Sequence, residues 1–208
     1  DMEKRGIALD KNFLKSLQKS SHRQLTQLTQ KIYRQAGRVF NINSPQQLLT
    51  IFNNCLKIVT PLKSTAEEKL LALQDRCPLI GPILDYRRHF KLQKTYIEPL
   101  LAAGDMVRTT FVQTGTATGR LSSRAPNLQN IPETVKPAFV ARAGFRLVSF
   151  DYSQIELRVL ASEAHDLKMI EAFEKNWDIH QLTASRVFAV ALSAVTPAMR
   201  QLAKTLNF

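Results

Sequence analysis

The stretch Phe150-Asp151-Tyr152-Ser153-Gln154-Ile155-Glu156-Leu157-Arg158 decides how the rest of the chain is read. An apolar, β-prone run, Phe145 to Phe150, leads into it, and a helical pattern from Gln154 to Ser162 follows. A strand that ends on an acidic residue and passes at once into a helix can present a carboxylate to a hard cation and to substrate phosphates. Standing alone, Asp151 and Glu156 would read as a surface aspartate and a helix-stabilising glutamate.

Composition narrows the classes around that stretch. The 208 residues suffice for one large domain or two small ones, and a hydrophobic content of 44% excludes a disordered tail. The net charge is +12, and its distribution says more than its total: from Lys11 to Ala66 there are nine basic residues and no acidic one. Such a surface attracts a polyanion, and nucleic acid is the usual candidate because each neutralised phosphate releases condensed counterions. Charge alone fits a ribosomal-type protein or a generic basic surface equally well. An acidic membrane fits less well, because the cations are not joined to an apolar interfacial helix face. Cys55 and Cys77 have neither CxxC spacing nor histidines at ligand distance, so they are expected as free thiols in a reducing compartment. No apolar run approaches the roughly 20 residues that span a bilayer. The opening residues Asp1 to Gly6 carry no signal-peptide core. No membrane partner is expected.

Helix signals dominate the first hundred residues. Gly6 to Asp10 is a short run ending in an N-cap, Asp10; from Asn12, Leu14, Leu17, Leu25, Leu28 and Ile32 recur at helical spacing, and Gly37 closes the helix. Its polar face carries Lys15, Lys19, Arg23, Lys31 and Arg34. Ser44-Pro45-Gln46-Gln47 starts a second helix running to about Leu56, and Ser64 and Thr65 with Glu67 and Glu68 start a third. A fourth begins near Pro82 and sets Arg87, Lys91 and Lys94 on one face. Near Leu101 the texture changes to short apolar runs and turns. Ala103-Gly104-Asp105 is a turn, Val107 to Gln113 reads as a strand, and Thr114 to Pro132 as a Gly-, Ser-, Asn- and Pro-rich loop. Later helices are expected at Leu167 to Glu174, at Ile179 to Val190, and from Pro197 with Thr196 as its cap.

Two constellations carry chemistry besides Asp151. In the last helix Arg200, Lys204 and Phe208 are spaced by four, drifting only about 40° per step, so they share a side. Two cations one turn apart can hold a triphosphate, and an aromatic beyond them can pack on a base or sugar, although Phe208 also reads as core. In the loop, Arg120, Asn127, Gln129 and Asn130 offer donors for the acceptors that every base pair presents in the minor groove; the same amides can instead brace turns.

Taken together, Asp151-Tyr152-Ser153-Gln154-Ile155-Glu156-Leu157-Arg158, Thr114-Gly115-Thr116-Ala117-Thr118-Gly119-Arg120-Leu121-Ser122-Ser123, Pro126-Asn127-Leu128-Gln129-Asn130-Ile131-Pro132 and Arg200-x-x-x-Lys204-x-x-x-Phe208 resemble the DNA polymerase I-like enzymes of family A. The resemblance runs from Gly6 to Phe208. It implies an α+β, mostly helical, right-hand polymerase fold with a helical thumb, an antiparallel palm sheet and partial helical fingers. Residues 1–11 would open the palm, 12–100 form the thumb, 101–162 the palm with the catalytic aspartate, and 163–208 the truncated start of the fingers. It implies a template-directed DNA polymerase that adds dNTPs to a primer 3′-hydroxyl with two Mg2+ ions, held in part by Asp151 and the Tyr152 carbonyl. Glu156 would be the steric gate against ribose, and Arg200 and Lys204 would bind the triphosphate. Tyr152, Ser153, Gln154, His180 and Phe208 would contact substrate. Asn43, Ser44, Arg87 and Lys91 would hold DNA phosphates, with Thr118, Arg120, Asn127, Gln129 and Asn130 at the primer–template. The partners implied are primer–template DNA and dNTPs, for a monomer working inside a cell, in bacterial or phage-infected cytoplasm or in a eukaryotic organelle or nucleus.

Three departures from the family pattern shape the expectations. The chain stops within the fingers helix, so the later tyrosine and the His-Asp-Glu motif with a second carboxylate do not follow, and the chain is expected to be an inactive piece of a longer enzyme. The segments Pro132 to Ala138 and Lys57 to Ser64 are shorter than usual, and the nuclease sequences that can accompany the family are not among these 208 residues. A non-catalytic nucleic-acid-binding module derived from a polymerase is the alternative. A single-subunit RNA polymerase is disfavoured by Glu156, because an RNA-making site must admit the 2′-hydroxyl.

Overall fold

Asp10 does what its position promises. In the computed structural model, which describes residues 1–56 and 61–206, its carboxylate accepts from the Phe13 N–H at 2.9 Å and starts a 26-residue helix. Before it lie a short helix, α1 (Met2–Arg5), and a strand, β1 (Ile7–Leu9); the long helix is α2 (Lys11–Ala36). Gly37 closes α2 at φ 66°, a left-handed conformation that residues with a Cβ adopt only at a cost. Gly6 is needed for space as well as for φ, since a Cβ there would strike the Val107 carbonyl oxygen.

Helix α3 (Pro45–Leu56) begins where proline at the first position predicts, with Ser44 Oγ accepting from the Gln47 N–H at 3.4 Å. The third helix, α4 (Glu67–Leu71), starts later than its signals suggest: Ser64 Oγ is turned to the Ala66 N–H, and Ala66 takes the cap position. Next comes α5 (Ile80–Lys91), with Pro82 inside its first turn, where a missing N–H costs no helical bond. It passes through a π-helical turn at Leu92–Ile97 into α6 (Glu98–Ala102). One core gathers Ile32 of α2, Leu48, Ile51 and Phe52 of α3, Leu70 of α4, and Ile80, Ile83 and Leu84 of α5.

The two cysteines correct the expectation of free thiols. Cys55, near the end of α3, and Cys77, just before α5, form a disulfide with Cα atoms 5.9 Å apart. Packing of α3 against the approach to α5 brings them together, which spacing along the chain does not reveal.

The expected strand from Val107 to Gln113 is two: β2 (Met106–Val107) and β3 (Thr110–Val112). It breaks because the chain changes partner. β2 pairs antiparallel with β1, while β3 pairs antiparallel with β4 (Ser122–Arg124). At the junction buried Thr109 turns its hydroxyl to the carbonyls of Arg124 and Pro126, at 3.0 and 2.7 Å. With β5 (Phe139–Val140) the first sheet has the order β2-β1-β5, all antiparallel. Beneath it lies a second core of Leu9, Leu14, Leu100, Val107, Val135 and Ala138.

The run Phe145 to Phe150 corrects a further expectation. It forms no strand, and its apolar side chains lie in solvent, Phe150 being 92% exposed. β-propensity is realised only against a partner edge, and among the described residues no strand pairs with this run.

The chain divides into two compact units, residues 1–147 and 148–208. The second contains α7 (Ile155–Glu163), α8 (Leu167–Glu174), α9 (Ile179–Val187) and α10 (Pro197–Leu206). Asp166 caps α8 and Asp178 caps α9, while Thr196 Oγ1 accepts from the Met199 N–H at 3.3 Å to start α10. Its core is small: Leu157, Ala161 and Phe173, with Met169, Ile170 and Ile179 against them. The chain is therefore mostly helical with small antiparallel sheets. Among the described residues no helix is long and apolar enough to cross a membrane.

Candidate active site

In the second unit, Asp151 and Tyr152 stand exposed on the irregular segment before α7. Ser153 and Gln154 make the turn, Gln154 at φ 53°, ψ 37°, a left-handed conformation uncommon outside glycine and often found where a backbone is held for function. Gln154 Oε1 is buried without a hydrogen-bond partner. The turn is tied down by Arg158, whose Nε donates to the Ser153 carbonyl at 2.9 Å while its guanidinium lies 4.5 Å over the Phe173 ring. Sequence reading quoted Arg158 within the motif but gave it no task; here it braces the turn. Glu156 stands in the first turn of α7, where a carboxylate also suits the helix dipole.

Helices α9 and α10 bring His180, Arg200 and Lys204 within electrostatic reach of one another. The Arg200 guanidinium meets the Asp178 carboxylate, Nε at 2.8 Å and Nη2 at 2.7 Å, both facing Oδ2. The other oxygen, Oδ1, accepts from the Gln181 N–H at 3.1 Å. Burial pushes the Asp178 pKa up, but the bonds from Arg200 and from the helix backbone outweigh it and hold the carboxyl below its ordinary value. Asp178 is the residue that sequence reading missed: the helix start at Ile179 was legible, but neither its cap nor the partner 22 residues on was read. His180 is buried, with 3% of its surface exposed. Desolvation chiefly, then the Arg200 and Lys204 charges, lower its pKa against the opposing pull of Asp178. The lowered pKa favours the neutral imidazole, which can offer a hydrogen bond. Phe208 lies outside the described residues.

The remaining candidates lie in the first unit. In the β3–β4 hairpin Thr118 and Arg120 are exposed, and Thr116 Oγ1 donates to the Arg120 carbonyl at 2.7 Å. Asn127 Oδ1 accepts from Ser123 Oγ at 3.1 Å and from the Gln129 N–H at 3.0 Å, and Gln129 Nε2 donates to the Leu121 carbonyl at 2.8 Å. These amides thus brace the turn, and exposed Asn130 ends it.

Among the helices, Asn43 Nδ2 donates to the Tyr86 hydroxyl at 3.2 Å, which joins the Asn43–Ser44 turn to α5 beside Arg87. Arg87 itself is tied to α4's approach: Nη1 donates to the Thr65 carbonyl at 2.5 Å and Nη2 to Thr65 Oγ1 at 2.9 Å. Burial lowers its pKa, with the Glu67 charge pulling the other way. Lys94 pairs with Glu98 at 2.9 Å, and Lys91 is exposed. On α2, Lys15, Lys19, Arg23, Lys31 and Arg34 are all exposed.

The sequence model of DNA polymerase family A matches residues 11–208. The chain belongs to that family. It is 44% identical over 223 residues to DNA polymerase I of Caldicellulosiruptor bescii, covering all of this chain and 26% of that protein. It is 42% identical over 224 residues to the thermostable DNA polymerase I of Thermus thermophilus, covering all of this chain and 27% of the relative. The chain thus spans about a quarter of the length of these curated relatives. Among solved structures it is similar to the POL domain of Pol1 from M. smegmatis in complex with DNA primer–template and dNTP, with a TM-score of 0.85 and 34% identity. That match covers 98% of this chain and 39% of the other. The likeness fits the mostly helical fold with antiparallel sheets.

Proposed function

We propose that this family A chain is the thumb, palm and first fingers portion of a template-directed DNA polymerase, in which a primer 3′-hydroxyl attacks the α-phosphorus of a dNTP and pyrophosphate leaves. The observation that carries the reading is the cluster at the α9–α10 junction, Arg200 held by Asp178 with Lys204 and neutral His180 beside it, in the same unit as the Asp151–Glu156 motif. Arg200 and Lys204 bind triphosphate oxygens as cations, and His180 adds a hydrogen bond. Glu156 fills the space that a ribose 2′-hydroxyl needs. Thr118, Arg120, Asn127, Gln129 and Asn130 face the primer–template, Asn127 and Gln129 by shaping the turn that carries the others. Asn43, Ser44 and Lys91 hold backbone phosphate, while Arg87 sets the spacing of the helices around them. Residues 12–100 act as thumb, 1–11 and 101–162 as palm, and 163–208 begin the fingers.

The Asp151 carboxylate and the Tyr152 carbonyl are hard oxygen donors of the kind Mg2+ takes when phosphates and water complete its shell. Among the described residues no group of three or more His, Cys, Asp or Glu could hold a metal ion. Bound there, Mg2+ supplies charge stabilisation for phosphoryl transfer; the two-ion expectation rests on the family. The reading extends to a monomer that works on primer–template DNA inside a cell.

The test is Asp151→Ala in the intact protein that carries this chain. Primer extension should fall at least about a thousandfold, with primer–template affinity within about threefold of the parent. Extension near the parental rate would sink the assignment.

A further inference from the structure

We propose that Asp178 is a positioning residue for nucleotide binding, holding Arg200 side-on so that the far edge of its guanidinium is presented to the triphosphate. The inference rests on the polymerase reading and names a residue to which that reading gives no substrate role.

Asp178 is itself immobilised. Its Oδ1 caps α9 through the Gln181 N–H at 3.1 Å, so the carboxylate plane is fixed by the helix start before Arg200 arrives. Its Oδ2 then faces Nε and Nη2 of Arg200, at 2.8 and 2.7 Å. One side chain thereby ties the first turn of α9 to the first turn of α10. A guanidinium carries five N–H donors in a planar fork, and this pair occupies the Nε–Nη2 side alone. The Nη1 side lies outside the pair, so a phosphate can take a second fork without displacing the first. The side chains remain 41% and 29% exposed, which leaves Arg200 open to a ligand.

Charge points the same way. Arg200 and Lys204 act on His180 from one side and Asp178 acts against them, so the carboxylate offsets repulsion within the cluster while no triphosphate is present. An arginine left without that partner would spread over many rotamers and would have to be ordered each time a nucleotide binds.

Asp178→Asn and Asp178→Ser each keep an oxygen able to cap α9 while removing the charge that holds Arg200. In the intact protein, each should raise KM for dNTP about tenfold, with kcat changing less than KM and primer–template Kd staying within about twofold. In an Arg200→Ala background, with nothing left to position, Asp178→Asn should change kcat/KM by less than about twofold. Three results would overturn the proposal. KM could be unchanged or lower in a folded variant. The tenfold effect could recur in the Arg200→Ala background. Both variants could fail to fold, which would make Asp178 a fold-holding residue. Failure of the polymerase reading is seen separately, as a parent protein that does not extend a primer.

Discussion

His180 shows how a single residue's role turns on its surroundings. As a lone histidine in the sequence it reads more often as structure than as a phosphate neighbour; buried beside two cations, its neutral form is favoured. Folding lowers its pKa below the ordinary value of about 6.5, so as pH falls the unfolded chain takes the proton first. The stability that neutral His180 contributes is complete above about pH 6.5 and is lost as pH falls from there towards the folded pKa. Denaturation midpoints measured from pH 8 to pH 5 should fall more steeply in the parent than in His180→Gln, and an NMR titration should place the His180 pKa below 6.5. A value at or above 6.5 would contradict this. The caps Asp10 and Thr196 were legible, because capping depends on residues within one turn. The Asp178–Arg200 and Arg87–Thr65 pairs were not, since no local rule links positions 22 residues apart.

Among the elements, legibility followed length. Helices α2, α3 and α8 lie close to where periodicity and caps put them, and α10 starts at its proline. The four-residue α1 and the break between β2 and β3 escaped, because a two- or three-residue strand is defined by its partner. Phe145 to Phe150 is the converse case, a strong strand signal with no edge to pair against among the described residues. The Cys55–Cys77 bond likewise depends on how α3 meets the start of α5. Phe52 of α3 is fully buried in the same helical core. Phe52→Ala should cost about 3–5 kcal/mol in equilibrium unfolding. A loss under about 1 kcal/mol would mean that this core closes around the gap.

For the molecule as a whole, family membership was carried by a few contiguous motifs rather than by the fold. The +12 charge and the exposed cations of α2 suit a polyanion partner but fit a generic basic surface equally well. The Asp151–Arg158 and Arg200–Lys204 motifs supply the chemistry that charge leaves open. The site is less legible than the family. The hairpin amides of Asn127 and Gln129 are engaged in bracing their own turn, and Arg87 in joining two helices, so a residue's place in a motif does not fix which of its atoms meet substrate. The most direct measurement is primer extension by the intact protein with Mg2+, comparing dNTPs with rNTPs on one template. Efficient extension with dNTPs and at least about a hundredfold poorer use of rNTPs is expected of a working sugar gate at Glu156. Tight primer–template binding with no extension would contradict the polymerase reading and leave a nucleic-acid-binding module in its place.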